Sequence, residues 1–264
     1  MFNNNPFSNL AEIVSPLAMQ GFLVAMIILV IVGTLIDIIH KKNVKYFFDN
    51  AKKAKKNALV ELSTAKRTSV ILKTVAHDIA TTAELGRGKR RVAHVMGMYG
   101  TIIFWGCSAI LIFSYSSAGI ETPSSITALW HTGAILTCLG GYWFWFFLRV
   151  DVLAEAHPWY RIIKADLFVL ALLACATTGL AWSYFQSSGS AGLGYLFLIL
   201  FITSNIVLFG GVYWSKFAHM IYKPGAAIQK NLAEADGSRD NLPPLADAPK
   251  QFGLGIKREQ PKHY

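Results

Sequence analysis

Histidine is the residue type whose placement in this chain most readily suggests chemistry. Of the seven histidines, His94 opens one long apolar stretch and His219 closes another. On the topology derived below, both reach the same membrane boundary from different helices. A b-type heme iron needs two such imidazoles, one on each side of the porphyrin. The pair therefore suggests a heme site, although boundary histidines also occur simply as amphipathic side chains.

The residues that flank this histidine pair fit the same hypothesis. Small residues would leave room for a macrocycle between helices, and glycine stands at positions 97, 100, 210 and 211. Heme propionates need cationic partners. The nearby cations are Lys89, Arg90, Arg91 and Lys216.

His131 calls for a separate interpretation. It follows Trp130 near the opposite end of the third apolar stretch, where no second histidine stands at the same depth. A polar ring inside a span needs a hydrogen-bond partner. We expect that partner to be a quinone or a neighbouring helix rather than iron. The plainer alternative is an interfacial histidine.

Five apolar stretches are long enough to position these residues across roughly 30 Å of hydrocarbon. The chain is 53% hydrophobic and only 15% charged. The apolar runs are continuous rather than alternating, which favours helices over a barrel. The predicted fold is an all-α integral membrane protein with five transmembrane helices. They span Leu17–Ile39, Val95–Phe113, Ala128–Leu148, Leu167–Tyr184 and Leu193–Trp214.

Lysine and arginine are distributed on one side only of this predicted topology. Residues 41–93 carry 14 of the 25 basic residues, residues 149–164 carry three, and the chain from Lys216 onward carries eight. The connecting segments 114–127 and 185–192 carry none. Basic residues accumulate in cytoplasmic loops, so we predict an outer N-terminus and an inner C-terminus. The net charge of +10 then needs no nucleic acid to explain it.

The chain divides into four predicted regions. Residues 1–40 form the outer N-terminus and the first span, and residues 94–223 form a four-helix heme and quinone region. Residues 41–93 are a basic cytoplasmic segment with an amphipathic helix from about Val44 to Leu62. This segment is either a solvated, lipid-facing charge run or a docking surface for a soluble partner. Residues 224–264 are polar and proline-rich, which predicts an extended or disordered tail.

Several classes of site are not supported by the sequence. The three cysteines stand alone in separate spans, without a CxxC pair, so we interpret them as packing residues. No GxGxxG loop occurs. The centres of the spans carry almost no charge, which disfavours an ion transporter because such proteins need charged relays at mid-depth.

Three segments also resemble a known family. They read YWSKFAHMIYKPGAAIQK at 213–230, GKRRVAHVMGMYGTIIF at 88–104 and ALWHTGAILTCLGGYWFWFFLRV at 128–150. Together they are similar to the membrane cytochrome b subunits of the nitrate reductase gamma family. Within it, the resemblance is greatest to membrane subunits of the quinone-interacting oxidoreductase complex and to membrane anchors of adenylylsulfate reductase. It covers residues 64–230.

The resemblance implies a redox subunit without a complete active site of its own. His94 and His219 match the family's ligands for one heme b, and His131 matches a Trp-His pair. A second heme would need histidines within 104–107 and 201–205, where none stands. The implied function is electron transfer between a soluble cytoplasmic oxidoreductase of sulfur metabolism, adenylylsulfate reductase, and quinone at the bacterial inner membrane. The alternative is a heme-free anchor for that enzyme.

Overall fold

The computed structural model describes residues 2–85, 88–117, 119–150, 157–239, 251–252 and 256–257. These residues are mainly helical, and they include one antiparallel pair of two-residue strands, β1 (Gln251–Phe252) and β2 (Ile256–Lys257). The chain forms two compact units. Unit 1 contains Met1–Asp37 and Val92–Ala218, and unit 2 contains Ile38–Arg91 and His219–Tyr264.

Nine α-helices and several tighter or wider turns make up the described chain. The α-helices are α1 (Pro6–Leu10), α2 (Pro16–Lys41), α3 (Asn43–Lys56), α4 (Thr64–Lys73), α5 (Lys89–Ser114), α6 (Ser124–Trp143), α7 (Leu167–Ser187), α8 (Ala191–Gly210) and α9 (His219–Ala235). Two π-helical segments, Thr74–Ile79 and Phe144–Leu148, follow α4 and α6. Short 3-10 turns occupy Ala83–Leu85, Lys164–Asp166 and Lys216–Ala218.

Four of the helices are long and apolar enough to cross a membrane, which makes the chain a multi-pass membrane protein. They are Pro16–Lys41, Lys89–Ser114, Lys164–Ser187 and Ala191–Gly210, and they correspond to the first, second, fourth and fifth predicted spans. The fifth ends at Gly210, four residues before the predicted end. The predicted third span corresponds to α6 and the π segment after it. Polar and glycine residues make α6 less apolar, so a fifth span remains a prediction.

Glycines bring α5 and α6 together at backbone distance. A Cβ at Gly100 would lie 2.6 Å from the backbone nitrogen of Thr137, and one at Gly133 would lie 2.6 Å from that of Phe104. A Cβ at Gly140 would lie 2.5 Å from the carbonyl oxygen of Ala93. No side chain fits in these contacts, so the three glycines determine how closely the two helices approach, as small residues do between helices in lipid.

Aromatic rings fill the core of unit 1. Phe104 lies 5.1 Å from the Trp130 ring, and Trp182 stacks on Phe201 with ring centroids 5.5 Å apart. Trp130 and Trp182 are buried, and Phe7 of α1 packs its edge against both. The N-terminal helix thus packs against the core of unit 1.

Unit 2 contains α3, α4, its π segment and α9. Helix α9 packs against each of these elements, and the backbone nitrogens of Leu59 and Val60 donate to the Asp236 carbonyl. The prediction of an extended tail from Pro224 is therefore corrected for its first part. Pro224 lies within α9, which continues to Ala235. The buried residues Ala227, Leu232 and Ala233 supply apolar burial that offsets the backbone hydrogen bond lost at proline.

Candidate functional site

The two predicted heme ligands lie close in sequence to the boundaries between the units. His94 belongs to unit 1, two residues after that part of it begins at Val92, and His219 is the first residue of unit 2 after Ala218. The His94 side chain is exposed on α5, and the His219 side chain is half-buried at the start of α9.

The four glycines predicted to make room for a macrocycle divide into two pairs. A Cβ at Gly97 or Gly210 would meet no atom within 4 Å. Gly100, by contrast, lies against α6. A Cβ at Gly211 would lie 3.1 Å from Leu167 on α7. The prediction is thus corrected for Gly100 and Gly211, whose missing side chains serve helix packing. Gly97, one turn after His94, keeps an open face beside that histidine.

The predicted propionate partners also differ from one another. The Arg91 guanidinium is half-buried and donates to both the carbonyl and the hydroxyl oxygen of Thr81, each at 2.8 Å. It therefore already holds the turn that ends the π segment of unit 2. Lys89 and Lys216 are exposed, and Arg90 is half-buried. Of the four, the exposed Lys89 is the best candidate for contact with an anionic group.

His131 is fully buried, and the protein itself satisfies both ring nitrogens. Nδ1 lies 2.7 Å from the Thr127 carbonyl oxygen, and Nε2 lies 2.8 Å from Ser183 Oγ on α7. A carbonyl only accepts, so Nδ1 carries the proton and Nε2 accepts from the serine hydroxyl. Of the expected partners, the neighbouring helix is the one that the structure shows. Neither nitrogen is left for iron or quinone.

The N-terminal segment covers His131 and its two partners, Thr127 and Ser183, which we call the His131 cluster. The Phe2 ring lies 5.2 Å from the His131 ring. Asn5 donates to the Tyr115 carbonyl at 2.8 Å and to the Thr122 hydroxyl at 3.0 Å. Beneath it, Trp130 Nε1 donates to Ser108 Oγ at 2.8 Å. The His131 cluster is thus covered by the Phe2 ring and by the segment that the hydrogen bonds of Asn5 hold in place.

Arg149 is an organising residue that sequence analysis treated only as a topology marker. Its guanidinium is 1% exposed, forms an ion pair with Asp166 and lies 4.1 Å from the centre of the Trp145 ring. It also donates to the Arg161 carbonyl at 2.7 Å. These contacts fix residues 157–166 as a folded connection. The available signal was weak, because this loop begins with Arg149 and ends with Asp166 but also contains Asp151 and Arg161, which offered other pairings.

Helix α3 exposes a set of cations in unit 2. Its aromatic residue Phe47 faces α9, with its ring 3.9 Å from a Cβ position at Gly225, and Ala54 is buried. The apolar stripe predicted to contact a membrane is therefore used at least partly for packing inside the unit. The exposed side chains are Lys45, Tyr46, Phe48, Lys52, Lys53, Lys55 and Lys56, which we call the lysine face.

No group of three or more metal-ligating side chains occurs among the described residues. Comparison with known proteins found no matching family model, no matching curated protein and no matching solved structure.

Proposed function

We propose that this chain is the membrane subunit of a redox complex. It docks a soluble cytoplasmic oxidoreductase and joins it to the quinone pool through one heme b bound by His94 and His219. The proposal rests on the difference between the two compact units of the chain. One unit holds long apolar helices, the other holds a basic exposed surface, and the two histidines stand beside the sequence boundaries between them.

The residues around His94 fit a flat, apolar group with anionic substituents. The imidazole is exposed, the next turn carries Gly97 with open space beyond it, and Lys89 lies exposed five residues earlier on the same helix. A bound heme b would supply a one-electron carrier with no proton transfer of its own. His94 and His219 would each hold the iron through an imidazole nitrogen.

The lysine face is the proposed docking surface for the soluble enzyme. Five lysines and two exposed aromatic rings lie on one helix, and its only acidic residue is Asp49. A surface of this kind favours an acidic protein partner, through steering by charge and contact by the aromatic rings. The resemblance of the sequence suggests adenylylsulfate reductase as that enzyme.

A reduced-minus-oxidised spectrum tests the heme proposal. The chain is expressed with heme supplied and purified, and a low-spin b-type α-band is expected. His94→Ala and His219→Ala should each abolish this band because low-spin heme requires both imidazoles. His157→Ala, a change in the folded connection, is the control and should retain it. Purified wild-type protein without heme absorbance would overturn the proposal.

A heme-free anchor is the second candidate, and a specific observation favours it. Gly100 and Gly211 already pack against neighbouring helices, and Arg91 already binds Thr81. In that case the lysine face alone would perform the function. Changing Lys52, Lys53, Lys55 and Lys56 to Gln should then release a co-expressed adenylylsulfate reductase from membranes, whether or not heme is present.

Two controls sharpen the docking test. Lys66→Gln with Arg67→Gln removes exposed cations from α4 instead and should leave the enzyme bound. Deletion of residues 240–264 tests the tail without cutting into α9, whose packed part reaches Ala235. Retention of the enzyme by the lysine-face variant would contradict the docking proposal.

Orientation is part of the same proposal and has its own test. A reporter fused after Tyr264 should be cytoplasmic, and one inserted at Glu121 between α5 and α6 should be periplasmic. The opposite result at either position would reverse the assignment of the lysine face to the cytoplasm.

A further inference from the structure

A cleft of about 530 Å³ opens on the surface of unit 1 beside the start of α7. Its volume lies within the usual range for small-molecule sites. Five of its lining side chains are apolar and one is cationic. They are Ile162, Ile163, Lys164, Leu167, Leu170 and Trp214.

The wall of this cleft is held in place by the Arg149 network. Asp166, the ion-pair partner of Arg149, accepts from the backbone nitrogen of Ile163 at 2.9 Å. Arg149 also binds the carbonyl of Arg161. Residues 161–163 are therefore fixed from behind by a buried cation. The cleft is preformed, so a ligand need not order this loop when it binds.

The chemistry of the lining changes along the cleft. Leu167 and Leu170 lie on α7, an apolar helix long enough to span the membrane. Trp214 is 62% exposed and belongs to the amphipathic aromatic class that is enriched at membrane interfaces. Lys164 is exposed and has no ion-pair partner within the described residues. A cation thus lies beside apolar side chains at the start of a spanning helix.

We propose that this cleft binds one anionic phospholipid. Its phosphate would pair with the Lys164 ammonium, and the upper part of one acyl chain would lie along Leu167, Leu170 and Trp214. A quinone carbonyl would accept a hydrogen bond from the lysine, but a phosphate would add an ion pair to it, so the charge favours the phospholipid. The site depends on the spanning helices but not on heme or on the soluble enzyme.

Native mass spectrometry of the purified chain tests this site. The protein is exchanged into micelles that contain equal amounts of phosphatidylglycerol and phosphatidylcholine. Wild type should retain one phosphatidylglycerol in preference. Lys164→Gln should lower that preference about fivefold, the factor that corresponds to about 1 kcal/mol per basic residue at an anionic surface. Lys164→Arg should restore it.

Two further variants separate this site from general attraction. Arg161→Gln removes an exposed charge three residues away, outside the lining of the cleft, and should leave the preference unchanged. Leu170→Trp fills the cleft and should reduce retention of both lipids. Equal retention of the two lipids by wild type, an equal loss in Arg161→Gln, or a retained quinone in place of phospholipid would each overturn the proposal.

Discussion

The two units use their polar side chains in different ways. In unit 1, polar groups such as His131 and Arg149 are buried and bonded to other parts of the same unit. In unit 2, the hydrogen bonds from Asn231 of α9 to Thr74 and Asp78 of the π segment are partly exposed, and all five lysines of α3 are exposed. Water does not reach His131 and Arg149, so partners from the same unit must offset the cost of burying them. Water competes in unit 2, and charges there remain available for partners.

Among the variants that test this contrast, Arg149→Met should lose the most stability. It removes the buried cation and leaves Asp166, with a side chain only 12% exposed, without its partner. Breaking a buried pair in this way costs about 3–5 kcal/mol. The thermal midpoint of the purified protein should fall sharply. Arg161→Met changes an exposed neighbour and should have little effect; an equal drop in both variants would show that Arg149 is not special.

His131→Ala should destabilise unit 1 without affecting heme. It leaves the Ser183 hydroxyl without its acceptor and opens space beside Trp130, at a cost of about 2–4 kcal/mol. His94→Ala should show the reverse, with heme lost and the melting temperature of heme-free protein nearly unchanged. Both properties are measured on the same preparations. If His131→Ala lost heme while retaining its stability, His131 would be a heme ligand rather than a structural residue, and our assignment would be wrong.

Gly100→Ala tests the close approach of α5 and α6. The new Cβ would lie 2.6 Å from a backbone atom, and overpacking of this kind costs about 1–3 kcal/mol. We expect a lower melting temperature and more aggregate on size-exclusion chromatography. Gly97→Ala, one turn earlier and facing open space, is the matched control. Equal tolerance of both changes would show that the helices can separate without cost.

Asn231→Ala should produce the smallest effect, in unit 2. Asn231 donates to Asp78 and to the Thr74 hydroxyl, and hydrogen bonds of this kind contribute about 1–2 kcal/mol. Burial opposes ionisation of Asp78, but hydrogen bonds from His77 and Asn231 outweigh it and hold the pKa of this carboxyl below its ordinary value of 3.8.

The effect of Asn231→Ala should therefore depend on pH. A carboxyl with a lowered pKa stabilises the fold above pH 3.8, and that contribution is lost as the pH falls through its folded pKa. The difference in melting temperature between wild type and Asn231→Ala should be complete at pH 7 and smaller near pH 3. The bond to Thr74 keeps it above zero. A difference that grows on acidification would contradict the role given to Asp78.

Sequence alone predicted the apolar helices of unit 1 but not the internal fold of unit 2. The length of a spanning helix can be read directly from the length of a continuous apolar run. Four predicted spans therefore coincide with long apolar helices. Helix α3 was also predicted, from its periodicity. The helix that packs against it, α9, was not predicted. The contact joins segments that are far apart in sequence, and Pro224 suggested that no helix continues through this position. The partners of His131 and Arg149 lie 52 and 17 residues away, and no local pattern specifies them.

The N-terminal segment has a consequence for biogenesis. Asn5 binds the Tyr115 carbonyl, 110 residues later, and the Gln186 side chain donates to the Pro6 carbonyl across 180 residues. Asn5 and Pro6 therefore acquire these partners only after residues 115 and 186 have been translated and inserted. Until then, Phe7 has no Trp182 to pack against. An epitope tag placed ahead of Asn5 should thus interfere with a late step of assembly rather than with insertion of the first helix.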